Sequence, residues 1–326
     1  MIIPRQNRHK RNHRPRFRPI QTVTFSLLPV RTAVNFFRSK NIHFLTPEPE
    51  NRACRLQHRL FLTLILKTTA CKTMLYDYPQ YYEAAFSFRD VAWEADFLKQ
   101  VIDRHAVVPV RTVLEIACGH APHAGELSRL GYRYVGLDKN PHMLAYAREK
   151  WRELNPPPEF IQGDMVSFEL PTKVQFAYVM LGSLYLNTDE EMQSHFAAMA
   201  RCLEPGGLYF LDWCVQFTEP LTRQLSNSVE LNRDGINIKS EFNTRLIDAA
   251  RQLYEEIWTV HVNDHGQEKT LRTVERNRAI FPQEFLLFVK TQTDFRFVGW
   301  WEDWDLNRPI KGSAAPTRPL VLLRRK

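Results

Sequence analysis

Hydrophobic and polar positions between residues 112 and 211 alternate between two patterns. Short apolar runs rich in β-branched residues are separated by segments in which apolar residues recur at the three-to-four spacing of one helix face. The apolar runs predict five strands, at 112–116, 132–137, 159–162, 176–181 and 208–211. Strands that alternate with helices form right-handed parallel β-α-β units. The pattern therefore predicts a doubly wound, mostly parallel α/β sheet.

Capping residues mark the ends of several predicted helices. Asp90, Asn140 and Thr188 stand where an N-cap is expected, and Pro141 occupies the first turn after Asn140. Gly131 follows the helix predicted over 124–130 and suits its C-terminal end. A further helix is predicted from Val91 to about Arg104. Its apolar positions recur at helical spacing, so packing is its expected role.

The period changes to two after the fifth strand. Apolar residues alternate with polar ones between residues 229 and 281, and glycine-containing turns interrupt the pattern. This segment predicts an antiparallel β meander. A short helix near 284–290 and two strands at 295–301 and 320–323 follow it.

Residues 1–73 differ from the rest of the chain in charge and in glycine content. They contain 15 Lys and Arg against two acidic residues, a net +13, whereas the remainder carries −5, and the first glycine is Gly119. A targeting peptide or a nucleic-acid-binding arm is one interpretation. We favour an extension outside the folded protein, which then begins at Met74, where a tyrosine-rich lead-in starts.

Composition excludes several classes of protein. The chain of 326 residues is 44% hydrophobic and has no apolar run near the roughly 20 residues of a membrane span. Its five cysteines form no C-x-x-C pair, so no metal site is predicted, and a reducing, cytoplasmic location is expected. The acidic body does not favour nucleic-acid binding. Membrane attachment is not expected, and the oligomeric state stays open.

The loops after the predicted strands carry the candidate chemistry, because doubly wound sheets bind ligands at the carboxyl ends of their strands. Small residues follow the first strand, where the run 115–123 reads EIACGHAPH. Asp138 ends the second strand, 19 residues after Gly119, and suits the paired hydroxyls of a ribose. Asp164 and Met165 follow the third strand, and Leu181 and Gly182 follow the fourth.

This arrangement resembles the class I S-adenosylmethionine-dependent methyltransferases. The similarity covers roughly residues 112–215 and rests on the motif VLEIACG at 113–119. It implies S-adenosylmethionine as cofactor, a seven-stranded Rossmann-like sheet closed by the two last strands, and methyl transfer to an N, O or C nucleophile of a small molecule. The cofactor-binding residues that the resemblance implies are Glu115, Ala117, Gly119, Asp138, Lys139, Met143, Asp164, Met165, Leu181, Gly182 and Tyr82.

The same resemblance suggests how the chain is divided. Residues 1–73 form the basic extension, 74–110 an aromatic-rich helical lid, and 111–216 the cofactor-binding core. Residues 217–281 form an inserted roof over the acceptor, and 282–326 the closing helix and hairpin. The roof is loosely similar to that of aminosugar N,N-dimethyltransferases.

Two departures from the family pattern concern the loop after the first strand. Ala117 and Ala121 replace common glycines, and because alanine disfavours positive φ we expect negative φ at both positions. A dinucleotide would need G-x-G-x-x-G, and two of its three glycines are missing here, so an NAD(P)-dependent oxidoreductase is the weaker alternative. A non-catalytic S-adenosylmethionine sensor or partner subunit is a third hypothesis.

The expected mechanism is an in-line displacement at the sulfonium methyl, for which alignment in a dry site supplies much of the rate. A cationic amine acceptor would also need a group that removes its proton. His123 is the first candidate for this role, with Tyr82 or Glu275 behind it.

Overall fold

The computed structural model describes residues 74–218, 226–233, 235–312, 316 and 318–326. The basic segment 1–73 lies outside the described residues, so its predicted role as an extension stays a prediction. None of the helices in the described ranges is long and apolar enough to cross a membrane.

The central sheet is doubly wound and contains eight strands, in the order β11-β10-β12-β5-β4-β1-β2-β3. Five neighbouring strands, β5, β4, β1, β2 and β3, run parallel to one another. β12 pairs with β5 in antiparallel orientation, and β10 pairs with β12 in the same way. β1 and β4 lie in the middle, where helices cover both faces, so every residue of β4 is buried. The strands are β1 Thr112–Ile116, β2 Arg133–Asp138, β3 Glu159–Gln162, β4 Val174–Val179, β5 Leu203–Asp212, β10 Phe295–Glu302, β11 Asp305–Pro309 and β12 Pro319–Arg325.

The α/β class and the mostly parallel orientation of the strands are confirmed, but the predicted number of seven strands is wrong. The additional strand, β11, pairs with β10 at the edge of the sheet. It reads DLNRP and carries no apolar alternation, because an edge strand that is largely exposed needs none. Only its pairing with β10 reveals it as a strand.

Among the residues that the structure describes, six α-helices accompany the sheet, and the three predicted N-caps are confirmed. The Asp90 side chain accepts from Trp93 N, that of Asn140 from His142 N and Met143 N, and that of Thr188 from Glu191 N. Each cap satisfies backbone donors that the first helical turn leaves free. The helices are α1 Pro79–Ala85, α2 Val91–His105, α3 Ala124–Arg129, α4 Pro141–Lys150, α5 Asp189–Cys202 and α6 Pro282–Gln292.

Two hydrophobic clusters form the core, one on each face of the central sheet. Phe196 of α5 and Phe285 of α6 belong to the first cluster, together with Leu114 of β1. Phe97 of α2 belongs to the second, together with Val113 of β1. Adjacent strand residues point to opposite faces, so β1 contributes to both clusters and is held in place from either side.

A separate antiparallel sheet covers the carboxyl ends of the parallel strands, and the predicted meander is thereby confirmed. This roof sheet consists of β6 Ser226–Arg233, β7 Ile236–Asp248, β8 Leu253–Asp264 and β9 Gln267–Arg278, paired in sequence order. The short 3-10 helix Leu75–Asp77 and α1 pack against it through a third cluster that joins Leu75 and Tyr81 to Val260 and Leu271.

Hydrogen bonds fix the tyrosine-rich lead-in from two directions. Leu75 N donates to Oγ1 of Thr273 in the roof sheet, at 3.0 Å. On the core side, the Glu83 carboxylate accepts from Tyr146 Oη at 2.7 Å and from Lys150 Nζ at 3.0 Å, both on α4. The lead-in thus joins the roof sheet to the core. That residues 74–110 act as a lid stays a prediction.

Candidate functional site

A cavity of about 330 Å³ lies at the carboxyl ends of the parallel strands. The core forms its floor, the lead-in closes one side, and the roof sheet contributes Glu275. It lies where a doubly wound sheet is expected to bind a ligand. The lining residues are Met74, Tyr76, Tyr82, Ala117, Gly119, Leu137, Asp138, Lys139, Asn140, Pro141, Met143, Gly163, Met165, Ser183, Tyr185 and Glu275.

Asp138 is held in a single orientation on the cavity wall. Gly119 N donates to its Oδ2 at 2.7 Å, and Asn140 N donates to its Oδ1 at 2.8 Å. Burial raises the pKa of Asp138, while these two hydrogen bonds oppose the rise. Each oxygen keeps a free lone pair, so the carboxylate can accept two more hydrogen bonds from a ligand.

The loop after β1 adopts a left-handed conformation at three positions. Gly119 has φ +54°, and a Cβ added there would meet no atom within 4 Å. Ala117 and Ala121 have φ of 55° and 51°, so the expectation of negative φ at both alanines is wrong. The tight turn needs these angles: Cys118 N reaches the Leu137 carbonyl at 3.0 Å, and Ala121 N reaches that of Cys118 at 2.8 Å. An L-residue pays about 1–2 kcal/mol for such a φ.

Glu115 lies behind this loop and is not part of the cavity lining. Its carboxylate is buried and accepts from Tyr134 Oη at 2.5 Å and from Tyr178 Oη at 2.9 Å. Nδ1 of His123 lies 3.2 Å from its other oxygen. Burial opposes ionisation, but His123 and the two hydroxyls outweigh it and lower the pKa of Glu115. The carboxylate therefore anchors the loop from beneath.

His123 is fully buried and lies outside the cavity lining, with both ring nitrogens engaged. Nδ1 faces the Glu115 carboxylate, and Nε2 lies 2.9 Å from Oε2 of Glu94. The Arg89 guanidinium forms an ion pair with the same Glu94 oxygen, at 2.5 Å. Burial lowers the pKa of His123, but the two carboxylates outweigh it, and the net shift is upward. Both nitrogens of this buried ring face carboxylates, so His123 holds the loop after β1 in place from within the core. That His123 removes a proton from an acceptor stays a prediction.

The cofactor-binding residues predicted after β3 and β4 are only partly brought to the cavity. Met165 lines it, but Asp164 is exposed and its Oδ1 accepts from Val166 N at 2.8 Å. The backbone N–H groups of Leu181 and Gly182 bond to Asp212, and neither residue is part of the lining.

Several lining residues were missed in the sequence. Ser183 and Tyr185 follow β4, and Met74 and Tyr76 begin the lead-in. The cluster of tyrosines in the lead-in is the sequence feature that could have indicated Tyr76 as a lining residue. Ser183 directly follows the predicted pair Leu181 and Gly182 at the end of β4, which is its signal in the sequence, whereas no local pattern marks Tyr185.

Three tyrosines surround the cavity, and each is in its neutral form. Burial raises the pKa of Tyr82 to about 12, although Arg89 opposes the shift. Burial also raises the pKa of Tyr76 and of Tyr185 well above the ordinary range, and nearby carboxylates add to the effect. Neutral aromatic rings of this kind attract a cation through their faces.

Two glutamates of the roof sheet lie directly opposite each other. Glu256 of β8 pairs in register with Glu275 of β9, so both side chains point to the same face of the sheet. Tyr185 Oη donates to Oε2 of Glu256 at 3.2 Å, and Nδ2 of Asn277 donates to Oε1 at 3.2 Å. Because Tyr185 belongs to the core, this face of the roof sheet is the one that meets the cavity.

The core of the protein matches a model of a known protein family. Residues 113–207 match a family model described as a methyltransferase domain. Residues 113–207 thus form a methyltransferase domain. The matched segment contains the loop after β1, Asp138 and Met165, so most of the cavity floor belongs to this methyltransferase domain. No group of three or more His, Cys, Asp or Glu that could hold a metal ion occurs in the described ranges.

Curated relatives align with a little over a third of the chain. A dTDP-3-amino-3,4,6-trideoxy-alpha-D-glucopyranose N,N-dimethyltransferase from Streptomyces venezuelae is 30% identical over 125 residues, which are 38% of this chain and 51% of that protein. A putative methyltransferase from a Geobacillus strain is 25% identical over 122 residues, 37% of this chain and 49% of the relative. The chain thus spans about half the length of these curated relatives.

Solved structures of methyltransferases share the fold over about three quarters of the chain. An S-adenosylmethionine-dependent methyltransferase from Clostridium acetobutylicum superposes with a TM-score of 0.62 at 16% identity, covering 75% of this chain and 96% of that one. An amino pentose methyltransferase from Micromonospora echinaspora gives a TM-score of 0.60 at 20% identity, with coverages of 76% and 97%. At these identities the likeness establishes the fold.

Proposed function

We propose that this protein is an S-adenosylmethionine-dependent methyltransferase that acts on a small molecule by in-line displacement. The observation that carries the proposal is Asp138. Its carboxylate ends β2, is oriented by Gly119 and Asn140, and lies on the wall of a cavity in the methyltransferase domain. Such a carboxylate suits the two adjacent hydroxyls of a ribose.

The other lining residues fit S-adenosylmethionine in size and chemistry. The cavity of about 330 Å³ is within the range of small-molecule sites. Leu137, Met143 and Met165 offer an apolar surface for adenine. Gly119 leaves space for close approach of the backbone, because no atom lies where its Cβ would be. The faces of Tyr76, Tyr82 and Tyr185 suit a positively charged sulfonium.

Lys139 lines the cavity next to Asp138, and we propose that it contacts the cofactor too. Tyr82 would cover the cofactor from the lead-in. For Glu115, Leu181 and Gly182 we propose indirect roles, since each holds a loop that borders the cavity. Asp164 would have to turn from its contact with Val166 N to reach a ligand.

When bound, S-adenosylmethionine supplies an activated methyl group. The protein's own part is to hold and align both reactants and to exclude water beneath the roof sheet. The Streptomyces venezuelae relative is named for dimethylation of an amino sugar linked to dTDP, which supports a polar small molecule as acceptor. We expect the protein to work in the cytoplasm.

Isothermal titration of the full chain with S-adenosylmethionine, and separately with NADH, tests the proposal. We expect saturable binding of the sulfonium at one site and none of NADH. Asp138→Asn should weaken binding about 10- to 100-fold, because it removes a charged hydrogen-bond acceptor. Asp103→Asn, an exposed site on α2, is the matched control and should bind as the wild type does. Absence of heat with S-adenosylmethionine would refute the assignment.

Turnover separates an enzyme from a sensor. S-adenosylhomocysteine should accumulate when the protein is given S-adenosylmethionine and the small-molecule fraction of a cell extract. Tight binding without transfer to any fraction would favour a sensor or a non-catalytic partner subunit.

A further inference from the structure

Glu275 is the one carboxylate of the cavity lining that has no hydrogen-bond or ion-pair partner within the part of the chain that the structure describes. The other lining carboxylate, Asp138, accepts from two backbone N–H groups. Glu275 is half-buried on β9, and the side chain whose charge acts on it most is Lys139, across the cavity. A half-buried carboxylate without a donor is costly unless a ligand supplies one.

The position opposite Glu275 increases this cost. Its in-register partner is Glu256, and like charges directly opposite each other on adjacent strands destabilise a sheet. Glu256 is satisfied by Tyr185 and Asn277, whereas Glu275 faces the open cavity. A cation bound between the roof sheet and the core would relieve the repulsion.

The surroundings of Glu275 are suited to an organic cation. Tyr76 and Tyr185 line the same cavity, and the charge of Glu275 acts on both. Tyrosine faces combined with one carboxylate attract an ammonium group. Lys139 lines the cavity as well, so Glu275 has one cationic neighbour before any ligand binds.

Two other carboxylates at the cavity and His123 are already engaged by partners within the protein. His123 is buried between two carboxylates outside the lining. Asp138 orients the loop through both of its oxygens, and both oxygens of Glu256 accept hydrogen bonds. Tyr82 is neutral and has no basic form at ordinary pH. This leaves Glu275.

We infer that Glu275 binds the ammonium group of an amine acceptor beneath the roof sheet and takes one of its protons. The inference rests on the proposed methyltransferase function and adds to it the acceptor class and the residue that serves it. The N–H bond breaks towards a Glu275 carboxylate oxygen, and the nitrogen keeps the electron pair. That pair forms the new bond to the methyl carbon as the carbon–sulfur bond breaks, and the sulfur retains its electrons as a neutral thioether.

Burial raises the pKa of Glu275, and Lys139 opposes the rise. Burial likewise raises the pKa of Glu256 from the adjacent strand, and Tyr76 and Tyr185 remain neutral. A carboxylate made more basic than usual suits the acceptance of a proton from an ammonium group.

Glu275→Gln in the full chain is the test, and Glu268→Gln is the matched control, since Glu268 lies on the same strand but is exposed. Wild type and both variants are titrated with S-adenosylmethionine and assayed for S-adenosylhomocysteine formation with the small-molecule fraction of an extract of the cells that make the protein. We expect unchanged cofactor binding in all three. Glu275→Gln should lower kcat/KM about 100-fold or more, and Glu268→Gln should leave it unchanged.

Two further measurements distinguish proton acceptance from a structural role. The loss of kcat/KM in Glu275→Gln relative to the wild type should become smaller as the pH rises, because more of the amine is then already neutral in solution. Acetylation of the extract with an amine-selective reagent should abolish its acceptor activity, since alcohols survive that treatment and amines do not.

Acceptor activity that survives acetylation would overturn the inference, as would wild-type turnover by Glu275→Gln. Loss of cofactor binding in Glu275→Gln would assign Glu275 to the cofactor and also overturn it. Failure of the wild type to bind S-adenosylmethionine would instead refute the proposed function, so the two failures are distinguishable.

Discussion

The backbone N–H of Gly119 donates a 2.7 Å hydrogen bond to Oδ2 of Asp138, and this bond joins the loop after β1 to the end of β2. The two residues are 19 positions apart in the chain and form adjacent parts of the cavity wall. The conformation of the loop therefore determines where the ligand-binding carboxylate points.

Gly119→Ala tests this coupling against Gly131→Ala. Both glycines have positive φ, +54° and +92°, and no atom lies within 4 Å of an added Cβ at either one. Each substitution should destabilise the protein by about 1–2 kcal/mol through backbone strain. Only Gly119→Ala should also weaken S-adenosylmethionine binding, because only Gly119 lines the cavity. Urea denaturation and isothermal titration measure the two effects. Equal affinity in both variants would contradict the assignment.

Ala117→Gly should stabilise the protein. Ala117 has φ 55°, and glycine removes a strain of about 1–2 kcal/mol while adding somewhat less in chain entropy. The expected net gain is below about 1 kcal/mol. Ala145→Gly, at an exposed position inside α4, should have the opposite sign and cost about 1 kcal/mol. Urea midpoints that fall in both variants would show that the loop is not strained at Ala117.

Removal of His123 should destabilise the fold strongly. His123→Ala leaves Glu94 and Glu115 buried without their shared partner, and breaking a buried pair in this way costs about 3–5 kcal/mol. Arg129→Ala removes an exposed ion pair with Glu126 and should change the urea midpoint little. If His123→Ala were as stable as the wild type and lost only turnover, a role in catalysis would replace the positioning role.

The contribution of His123 to stability should depend on pH. Folding raises the pKa of His123 above its ordinary value of about 6.5, so its contribution is complete below about pH 6.5 and is lost as the pH rises through the folded-state pKa. Glu94 has a folded-state pKa of about 2, so its contribution is complete above pH 4.5 and is lost as the pH falls towards 2. The difference in unfolding free energy between the wild type and His123→Gln should therefore be largest between pH 4.5 and 6.5. A difference that stays flat up to pH 9 would mean that His123 is neutral in the fold.

Glu275→Gln should make the ligand-free protein slightly more stable. The substitution removes the repulsion between Glu275 and its cross-strand partner Glu256, which is worth about 0.2–1 kcal/mol for such a pair. A higher urea midpoint than that of wild type, measured without ligand, is the expected result. A lower urea midpoint would mean that Glu275 stabilises the roof sheet in the ligand-free protein. That result would contradict the proposal that Glu275 is unsatisfied until a ligand binds.

The sequence by itself determined the α/β class, the parallel orientation of the core strands and the antiparallel meander, because hydrophobic periodicity and capping residues act over short distances along the chain. It also located Asp138, Gly119 and Met165 on the cavity, since the ends of parallel strands meet at one edge of the sheet. The predicted caps Asp90 and Thr188 are confirmed for the same local reason.

Only the tertiary structure decided which side chains reach the ligand and which are buried behind it. His123 and Glu115 follow a ligand-binding strand, yet long-range contacts with Glu94 and Tyr178 draw them into the interior. The positive φ of Ala117 and the pairing of β11 likewise depend on partners distant in the chain. Burial, register and charge pairing are properties of neighbours in space, and a pattern along the sequence does not contain them.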